Sequence, residues 1–175
     1  PKKNEICIKN YATTVTSSDC ILRGFNIPIW NPIGLMMGIF MGFSKPRNSI
    51  LGLVASGVVD TIGSSVQRFK NGDQVLAYTA LSATKLRLGT YAQYVNIPEN
   101  WIVVSRPSEL TFEEAAAIPY PGGLAMFFLK KGEIQKRKRV LIIGASGSIG
   151  TTAIQISRHF GAKVDGVCST ANLEL

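Results

Sequence analysis

Residues 140–175 read VLIIGASGSIGTTAIQISRHFGAKVDGVCSTANLEL, and this stretch decides the fold of the C-terminal part of the chain. It opens with four consecutive apolar residues, Val140 to Ile143, as in a strand that is buried on both faces. Apolar residues then recur at helical spacing up to Phe160, Gly161 is a helix stop signal, and residues 163–167 have a strand pattern. The stretch therefore predicts a strand, a turn, an amphipathic helix and a second, parallel strand.

The turn between this strand and this helix contains three glycines at a spacing of three. Such spacing permits a tight turn, a close approach of backbone N–H groups to a pyrophosphate, and a helix that starts close against the sheet. The helix N-terminus adds unpaired N–H donors and a partial positive charge. Glycines alone are a weak signal, but their position between strand and helix favours a dinucleotide-binding unit over a unit without a ligand. The expected contacts are Gly144, Ser146, Gly147, Ser148, Ile149 and Gly150.

The end of the second strand indicates which dinucleotide is preferred. A unit that prefers NAD usually places Asp or Glu about 20 residues after the glycines, where the carboxylate binds the ribose 2'-hydroxyl. That place holds hydroxyl and amide side chains here, and no acid follows until Glu174. Because these groups do not repel a 2'-phosphate, we expect NADP(H) bound by Ser169, Thr170 and Asn172. NAD(H) remains an alternative cofactor, because this loop contains no Arg or Lys to pair with a 2'-phosphate.

Composition and charge limit the classes of protein that fit. A chain of 175 residues with 46% hydrophobic and 17% charged residues is expected to form a compact soluble protein of one or two domains. The net charge of +8 includes one basic cluster, for which a solvated surface is favoured over a nucleic-acid site because aromatic residues are not interleaved with it. The cluster comprises Lys130, Lys131, Lys136, Arg137, Lys138 and Arg139.

The cysteines and the N-terminus point to a cytoplasmic protein. Cys7, Cys20 and Cys168 are odd in number and far apart, which indicates free thiols in a reducing compartment and no structural zinc lobe. No secretory signal is visible at the N-terminus. The apolar segment 27–43 is interrupted by Pro and Gly and is too short to span a membrane, so we expect a short helix at residues 33–43 that packs in a core or covers a cleft or partner surface.

Residues 1–107 have an all-β pattern, and the remainder has an α/β pattern. The strands are predicted at residues 5–9, 51–61, 74–78, 91–97 and 101–104, and glycines within the second of them suggest a bulge or a corner. Thr111 and Glu114 form a capping box for a helix at 112–118, which Pro119 and Pro121 are expected to end. A further helix is expected at about residues 124–131.

Five segments in this order carry a family resemblance. They are ILGLVASGVVDTIGSSVQRFKNGDQVLAY (50–78), GTYAQYVNIPEN (89–100), LTFEEAAAIP (110–119), VLIIGASGSIGTTAIQ (140–155) and GVCSTANLEL (166–175). The chain resembles the medium-chain dehydrogenase/reductase superfamily, particularly its zinc-independent quinone-oxidoreductase-like branch. The resemblance implies a GroES-like catalytic β-barrel at residues 1–117 and the first part of a Rossmann doubly wound parallel sheet at residues 118–175. It also implies that the chain is truncated.

The chain departs from the family pattern at three places. Zinc-dependent relatives have a Cys three residues before the Asp that corresponds to Asp19, and a His-Glu pair after the Gly that corresponds to Gly52. This chain has Thr16 at the first place and Leu53 and Val54 at the second, so we expect no catalytic metal. The family's Gly-Leu-Thr-Ala segment appears as residues 122–125 without the Thr, and the second half of the Rossmann fold is missing.

The resemblance implies an oxidoreductase that transfers a hydride from NADPH to a quinone, an enone or a similar carbonyl acceptor. Tyr78 and Thr16 fall where the family's barrel faces the cofactor, and we expect them to be the catalytic pocket groups. Asp19 is interpreted as a structural turn acceptor. The partner is expected to be the small substrate, with no membrane or nucleic acid, and a homodimer is possible. The alternatives left open are a non-catalytic fragment and a binding protein of the same fold with an RNA or protein partner.

Overall fold

The computed structural model describes residues 1–24, 49–80 and 86–174, together with positions 32, 35, 38 and 39. The chain divides into two compact units, Pro1–Ala116 and Ala117–Leu175. The helix expected at residues 33–43 lies largely outside the described residues. Leu35, Gly38 and Ile39, which are described, are helical.

The first unit is built on one antiparallel five-stranded sheet. Its strands are β1 (Glu5–Ala12), β2 (Val54–Ile62), β3 (Gln74–Tyr78), β4 (Tyr94–Pro98) and β5 (Ile102–Ser105). They are arranged in the order β4-β1-β2-β3-β5. All five predicted strands are present, although β1 runs three residues further than expected and β2 and β4 begin three residues later.

The core of this unit lies on one face of the sheet, because alternate residues of a strand point to the same side. Its members are fully or nearly fully buried, and Phe69 and Trp101 pack against its edge. The register between β1 and β2 shifts at Cys7/Ile8 and again between Asn10 and Ala12, so the pair contains the irregularity that the glycines of β2 suggested. The buried members are Ile6, Ile8, Ala55, Val59, Val75, Ala77, Val95, Ile97 and Val103.

Two helices with described bounds accompany this sheet, α1 (Ser17–Gly24) and α2 (Phe112–Ala117), and the last residue of α2 begins the second unit. The predicted capping box at the start of α2 is confirmed. Thr111 N–H donates to Glu114 Oε2 at 2.8 Å, and Glu114 N–H donates to Thr111 Oγ1 at 3.2 Å. Each side chain thus satisfies a backbone donor that the helix leaves unpaired.

The second unit follows as helix α3 (Pro119–Lys131), strand β6 (Arg139–Ile143), helix α4 (Ser148–His159), strand β7 (Lys163–Val167) and a short 3-10 helix (Thr170–Asn172). Strands β6 and β7 pair in parallel, which confirms the predicted strand, turn, helix and strand. Helices α3 and α4 pack through Ala125, Leu129 and Ala153, with Val140 and Ile142 of β6 against them.

The helix predicted at 112–118 ends before Pro119 as expected, but the start of the following helix was predicted too late. Helix α2 ends at Ala117, and the prolines lie in the first turn of α3, which starts five residues earlier than expected. The first N–H groups of a helix have no intrahelical acceptor, so proline costs no hydrogen bond there, and its fixed φ suits the helix.

The prediction that β6 is buried on both faces was wrong for the described residues, which cover only one face of the strand. Leu141 is 63% exposed and Ile143 80% exposed, whereas Val140 and Ile142 pack against the helices. Side chains alternate across a strand, and helices α3 and α4 contact only one set of them. None of the helices in the described part of the chain has the length and apolar character that a bilayer crossing requires.

Candidate functional site

The glycine turn of the second unit begins directly after β6. Gly144 has φ +80°, in the left-handed region that glycine adopts without a steric penalty. The N–H groups of Gly144 and Ala145 both donate to the carbonyl oxygen of Val167, each at 2.9 Å. These two hydrogen bonds hold the turn against the end of β7.

Gly150 shows how closely α4 approaches this turn. A Cβ atom placed on Gly150 would overlap the carbonyl oxygen of Gly144 and stand 2.8 Å from the Cα atom of Ala145. Any side chain at position 150 would therefore force the helix and the turn apart. The prediction that the helix starts close against the strand is confirmed.

The N-terminus of α4 has backbone N–H groups that can donate hydrogen bonds to a ligand. Its N-cap residue is Gly147, which forms no side-chain capping hydrogen bond. The first backbone N–H groups of a helix, here those of Ser148, Ile149 and Gly150, have no intrahelical acceptor and add to a partial positive charge. This end of the helix can therefore bind an anion such as a phosphate.

The segment after β7 folds back onto the same turn. Asn172 Nδ2 donates to Ser146 Oγ at 3.2 Å and to Ser169 Oγ at 3.0 Å. Two predicted cofactor contacts after β7, Ser169 and Asn172, are thus brought together with Ser146 of the turn. Thr170 begins the short 3-10 helix beside them and is exposed. Within the described residues, this group of side chains is polar and carries no carboxylate.

A second candidate site lies in the first unit, beside α1. A cleft of about 450 Å³, called here the α1 cleft, is open to solvent and lined by both apolar and polar side chains. Apolar groups and a few polar ones in a concave site are typical of small-molecule binding. The lining residues are Val15, Asp19, Cys20, Arg23, Ser49, Ile50, Leu51 and Tyr91.

Asp19 is the buried polar centre of this cleft, with only 3% of its surface exposed. Its Oδ2 accepts hydrogen bonds from Thr16 N–H at 2.9 Å and from Thr16 Oγ1 at 2.6 Å. Its Oδ1 accepts one from Gly52 N–H at 3.3 Å. The interpretation of Asp19 as a structural acceptor is confirmed, since it satisfies the N-terminus of α1 and a distant loop together.

Tyr91 was not predicted as a site residue, yet it lines the α1 cleft next to Asp19. Its hydroxyl donates to the carbonyl oxygen of Thr14 at 3.3 Å. Burial, together with the neighbouring carboxylate of Asp19, raises the pKa of the Tyr91 phenol to about 12. Tyr91 is therefore a neutral hydrogen-bonding group across the whole physiological range. The local sequence contains no signal for this role, because Asp19 on α1 and Tyr91 in the loop before β4 meet only in the folded unit.

The two predicted catalytic residues occupy different places. Thr16 is buried and acts as a capping residue, because its hydroxyl binds Asp19 Oδ2 and lies 3.4 Å from Asp19 N–H. Tyr78 ends strand β3, in register with Val54 and Ile102. Neither residue belongs to the lining of the α1 cleft, and the catalytic role of both stays a prediction.

The positions at which zinc-dependent relatives carry metal ligands hold apolar side chains here, or a side chain that is already hydrogen-bonded. Leu53 and Val54 are buried at 7% and 0% exposure, and Thr16 is hydrogen-bonded to Asp19. The described residues contain no group of three or more His, Cys, Asp or Glu side chains placed to hold a metal ion.

Comparison with known proteins defines the class. Residues 2–108 match the alcohol dehydrogenase GroES-like domain. The chain is 33% identical over 173 residues to 2-methylene-furan-3-one reductase of Solanum lycopersicum, covering 95% of this chain and 44% of that protein. It is 35% identical over 182 residues to the mitochondrial NAD(P)H oxidoreductase RTN4IP1 of Bos taurus, covering 98% of this chain and 43% of that protein.

A solved structure shows the same fold. The quinone oxidoreductase of Escherichia coli in complex with NADPH superposes with a TM-score of 0.75 at 28% identity, covering 99% of this chain and 47% of that one. The chain therefore belongs to the alcohol dehydrogenase GroES-like family, within the medium-chain dehydrogenase/reductase superfamily. It spans less than half the length of these relatives.

Proposed function

We propose that this chain is part of an oxidoreductase that uses NADPH to reduce an electron-poor acceptor, namely a quinone or an enone. The observation that carries the proposal is the close contact between Gly150 and Gly144, which places a glycine-rich turn beside a helix N-terminus without a side-chain cap. The names of the relatives support it, since they describe an enone reductase, an NAD(P)H oxidoreductase and a quinone oxidoreductase bound to NADPH.

The residues of the second unit fit a dinucleotide. The N–H groups of Ser148, Ile149 and Gly150 would bind its phosphates, and Gly144 and Gly147 would let the backbone approach them. When bound, the cofactor supplies the hydride, while the protein supplies binding and orientation. These residues could bind the phosphates of NAD(H) and of NADP(H) equally well.

The preference for NADPH over NADH rests on the group formed by Ser146, Ser169 and Asn172. Their hydroxyl and amide groups can donate hydrogen bonds to a 2'-phosphate, and no carboxylate stands among them to repel it. Thr170 offers one more hydroxyl at the exposed edge of the same group. We therefore propose NADP(H) as the cofactor.

We further propose that the activity is independent of zinc. Thiolate, imidazole and carboxylate groups are the usual zinc ligands. The compared positions hold a hydroxyl at Thr16 and hydrocarbon side chains at Leu53 and Val54, and Asp19 already accepts three hydrogen bonds from Thr16 and Gly52. These residues do not fit a zinc ion.

The chain's own groups have distinct proposed roles in the first unit. The α1 cleft would hold the acceptor, with Tyr91 as a neutral hydrogen-bonding group. The catalytic roles of Tyr78 and Thr16 stay predictions, since neither residue belongs to the lining of this cleft. A cytoplasmic location stays a prediction, because the name of one relative places that protein in mitochondria. Homodimerisation and RNA or protein binding also stay predictions.

Three measurements on the purified protein test this function. Calorimetric titration is expected to show tighter binding of NADPH than of NADH. NADPH oxidation is expected in the presence of an enone or a quinone, and metal analysis is expected to find no stoichiometric zinc in the active preparation. Equal or tighter binding of NADH would overturn the cofactor preference. Salt-sensitive RNA binding without NADPH oxidation would favour the binding-protein alternative.

A further inference from the structure

Arg23 and Asp19 stand four residues apart on α1, and both line the α1 cleft. Opposite charges at this spacing on a helix usually face each other and pair. Across the described residues, however, Arg23 takes part in none of the ion pairs. Its exposed guanidinium therefore stands at the cleft without a carboxylate partner.

Arg23 has no carboxylate partner within the described part of the chain because the side chain of Asp19 points away from it. Its two oxygens accept hydrogen bonds from Thr16 and from the N–H of Gly52, and the residue is buried. The carboxylate is thus turned into the unit, while Arg23 stays at the surface. No other described residue of the cleft lining carries a carboxylate.

The rest of the lining suits an apolar molecule. Val15, Ile50 and Leu51 contribute hydrocarbon surface, and Val15 and Ile50 are 69% and 44% exposed. Exposed apolar groups gain free energy when a ligand removes them from water. The α1 cleft therefore combines an apolar wall with a single unpaired cation among its described residues.

We propose that the α1 cleft selects ligands with an apolar body and a carboxylate, and that Arg23 is the residue that determines this specificity. A guanidinium presents two parallel N–H donors that match a carboxylate, so one residue can fix both charge and orientation. Resting on the proposed function, this inference names the acceptor class as an enone or quinone that carries a carboxylate.

The kinetic test compares two acceptors that differ only in charge, β-acetylacrylate and its methyl ester. The unaltered protein is expected to have the higher kcat/KM for the carboxylate. Arg23→Gln should lower the carboxylate-to-ester ratio of kcat/KM by about tenfold or more, the range of a hydrogen bond between charged groups. Arg158→Gln is the matched control, because Arg158 is also an exposed arginine in the last turn of a helix, and this variant should leave the ratio unchanged.

A binding test works without turnover and uses the exposed Cys20 of the cleft as a reporter. Its alkylation by iodoacetamide is followed by mass spectrometry, with Cys7 and Cys168 as internal references. Levulinate, a saturated keto acid, is expected to slow the alkylation of Cys20 more than methyl levulinate does. Arg23→Gln should remove this difference, and Arg158→Gln should retain it.

The two tests separate the inference from the proposed function. Protection of Cys20 by levulinate that depends on Arg23, without any NADPH oxidation, supports the anion site and contradicts the proposed function. NADPH oxidation with the same carboxylate-to-ester ratio in the Arg23→Gln variant overturns the inference and leaves the proposed function standing. Protection of Cys20 by NADP+ that is lost in Arg23→Gln would assign Arg23 to the cofactor and also overturn the inference.

Discussion

The backbone N–H of Gly52 donates a hydrogen bond to Asp19 Oδ1 at 3.3 Å, across 33 residues of sequence. Gly52 has φ +92°, and a Cβ atom there would overlap Thr90 Oγ1 and the ring of Tyr91. The loop before β2 is thereby held against the start of α1. The geometry of the α1 cleft depends on this connection.

Replacing Asp19 by Asn is expected to lower the free energy of unfolding by about 2 kcal/mol. The amide would turn an N–H donor toward groups that themselves donate, from Thr16 or from Gly52, and leave one of them buried without an acceptor. Urea unfolding measures the difference. Asp60→Asn, at an exposed position on β2, is the control and should change the free energy of unfolding by less than about 0.5 kcal/mol. Equal losses in the two variants would contradict the structural role of Asp19.

Gly150→Ala is expected to weaken NADPH binding by at least about tenfold, because a distorted turn withdraws several N–H donors and each tenfold step is 1.4 kcal/mol. Calorimetry measures the binding. Gly123→Ala is the matched control, because Gly123 is also a helical glycine and an added Cβ there meets open space. That variant should gain up to about 1 kcal/mol of stability and bind NADPH as before. Unchanged binding in Gly150→Ala would count against the proposed cofactor site.

The raised pKa of Tyr91, about 12 against 10.0 for the free phenol, predicts a loss of stability in alkali. The folded state favours the protonated phenol, so this contribution is fully present below pH 10 and is lost as the pH rises toward 12. Unfolding free energies measured between pH 9 and about pH 12 should therefore fall more steeply in the unaltered protein than in Tyr91→Phe. Parallel curves for the two proteins would show that Tyr91 is not the group responsible.

Arg137 has φ +69° before β6, in the left-handed region that disfavours side chains. Its N–H donates to the carbonyl oxygen of Gly161 at 3.0 Å, which holds it in that conformation. Arg137→Gly keeps this hydrogen bond and removes a steric penalty of about 1–2 kcal/mol, which exceeds the cost of a more flexible unfolded chain, so the free energy of unfolding should rise by about 0.5–1 kcal/mol. Thermal unfolding measures the gain.

Lys136→Gly serves as the control for that prediction. Among the described residues, non-glycine residues with positive φ are confined to Glu133 and Arg137, so Lys136 has no such penalty to relieve. Glycine at position 136 should lower stability, because it adds conformational freedom to the unfolded chain. A gain in Lys136→Gly as large as that in Arg137→Gly would refute the argument from backbone strain.

Local patterns predicted the features that depend on neighbouring residues. The capping box of Thr111 and Glu114, strand β7 and the glycine turn all follow from spacing within a few residues, and all are present. Pro119 and Pro121 follow the end of α2 as predicted, but they also lie in the first turn of α3, which was not predicted, since proline is compatible with both the end of one helix and the first turn of the next. Propensity alone does not distinguish these two positions.

The site features that the sequence did not reveal depend on distant contacts. Tyr91 has a raised pKa because folding buries it beside Asp19, and Arg23 lacks a partner because the carboxylate four residues away is turned inward. In the same way, Asn172 meets Ser146 only after α4 and β7 have folded back onto the turn.

The order of strands and helices along the chain, and the glycines that let α4 approach the turn after β6, were determined by the sequence itself, because hydrophobic period, capping residues and glycine act over a few residues. Which side chains meet at the α1 cleft, and which face of β6 stays exposed, was decided only by the tertiary structure. Those outcomes depend on packing between segments far apart in the chain, so local sequence patterns do not predict them.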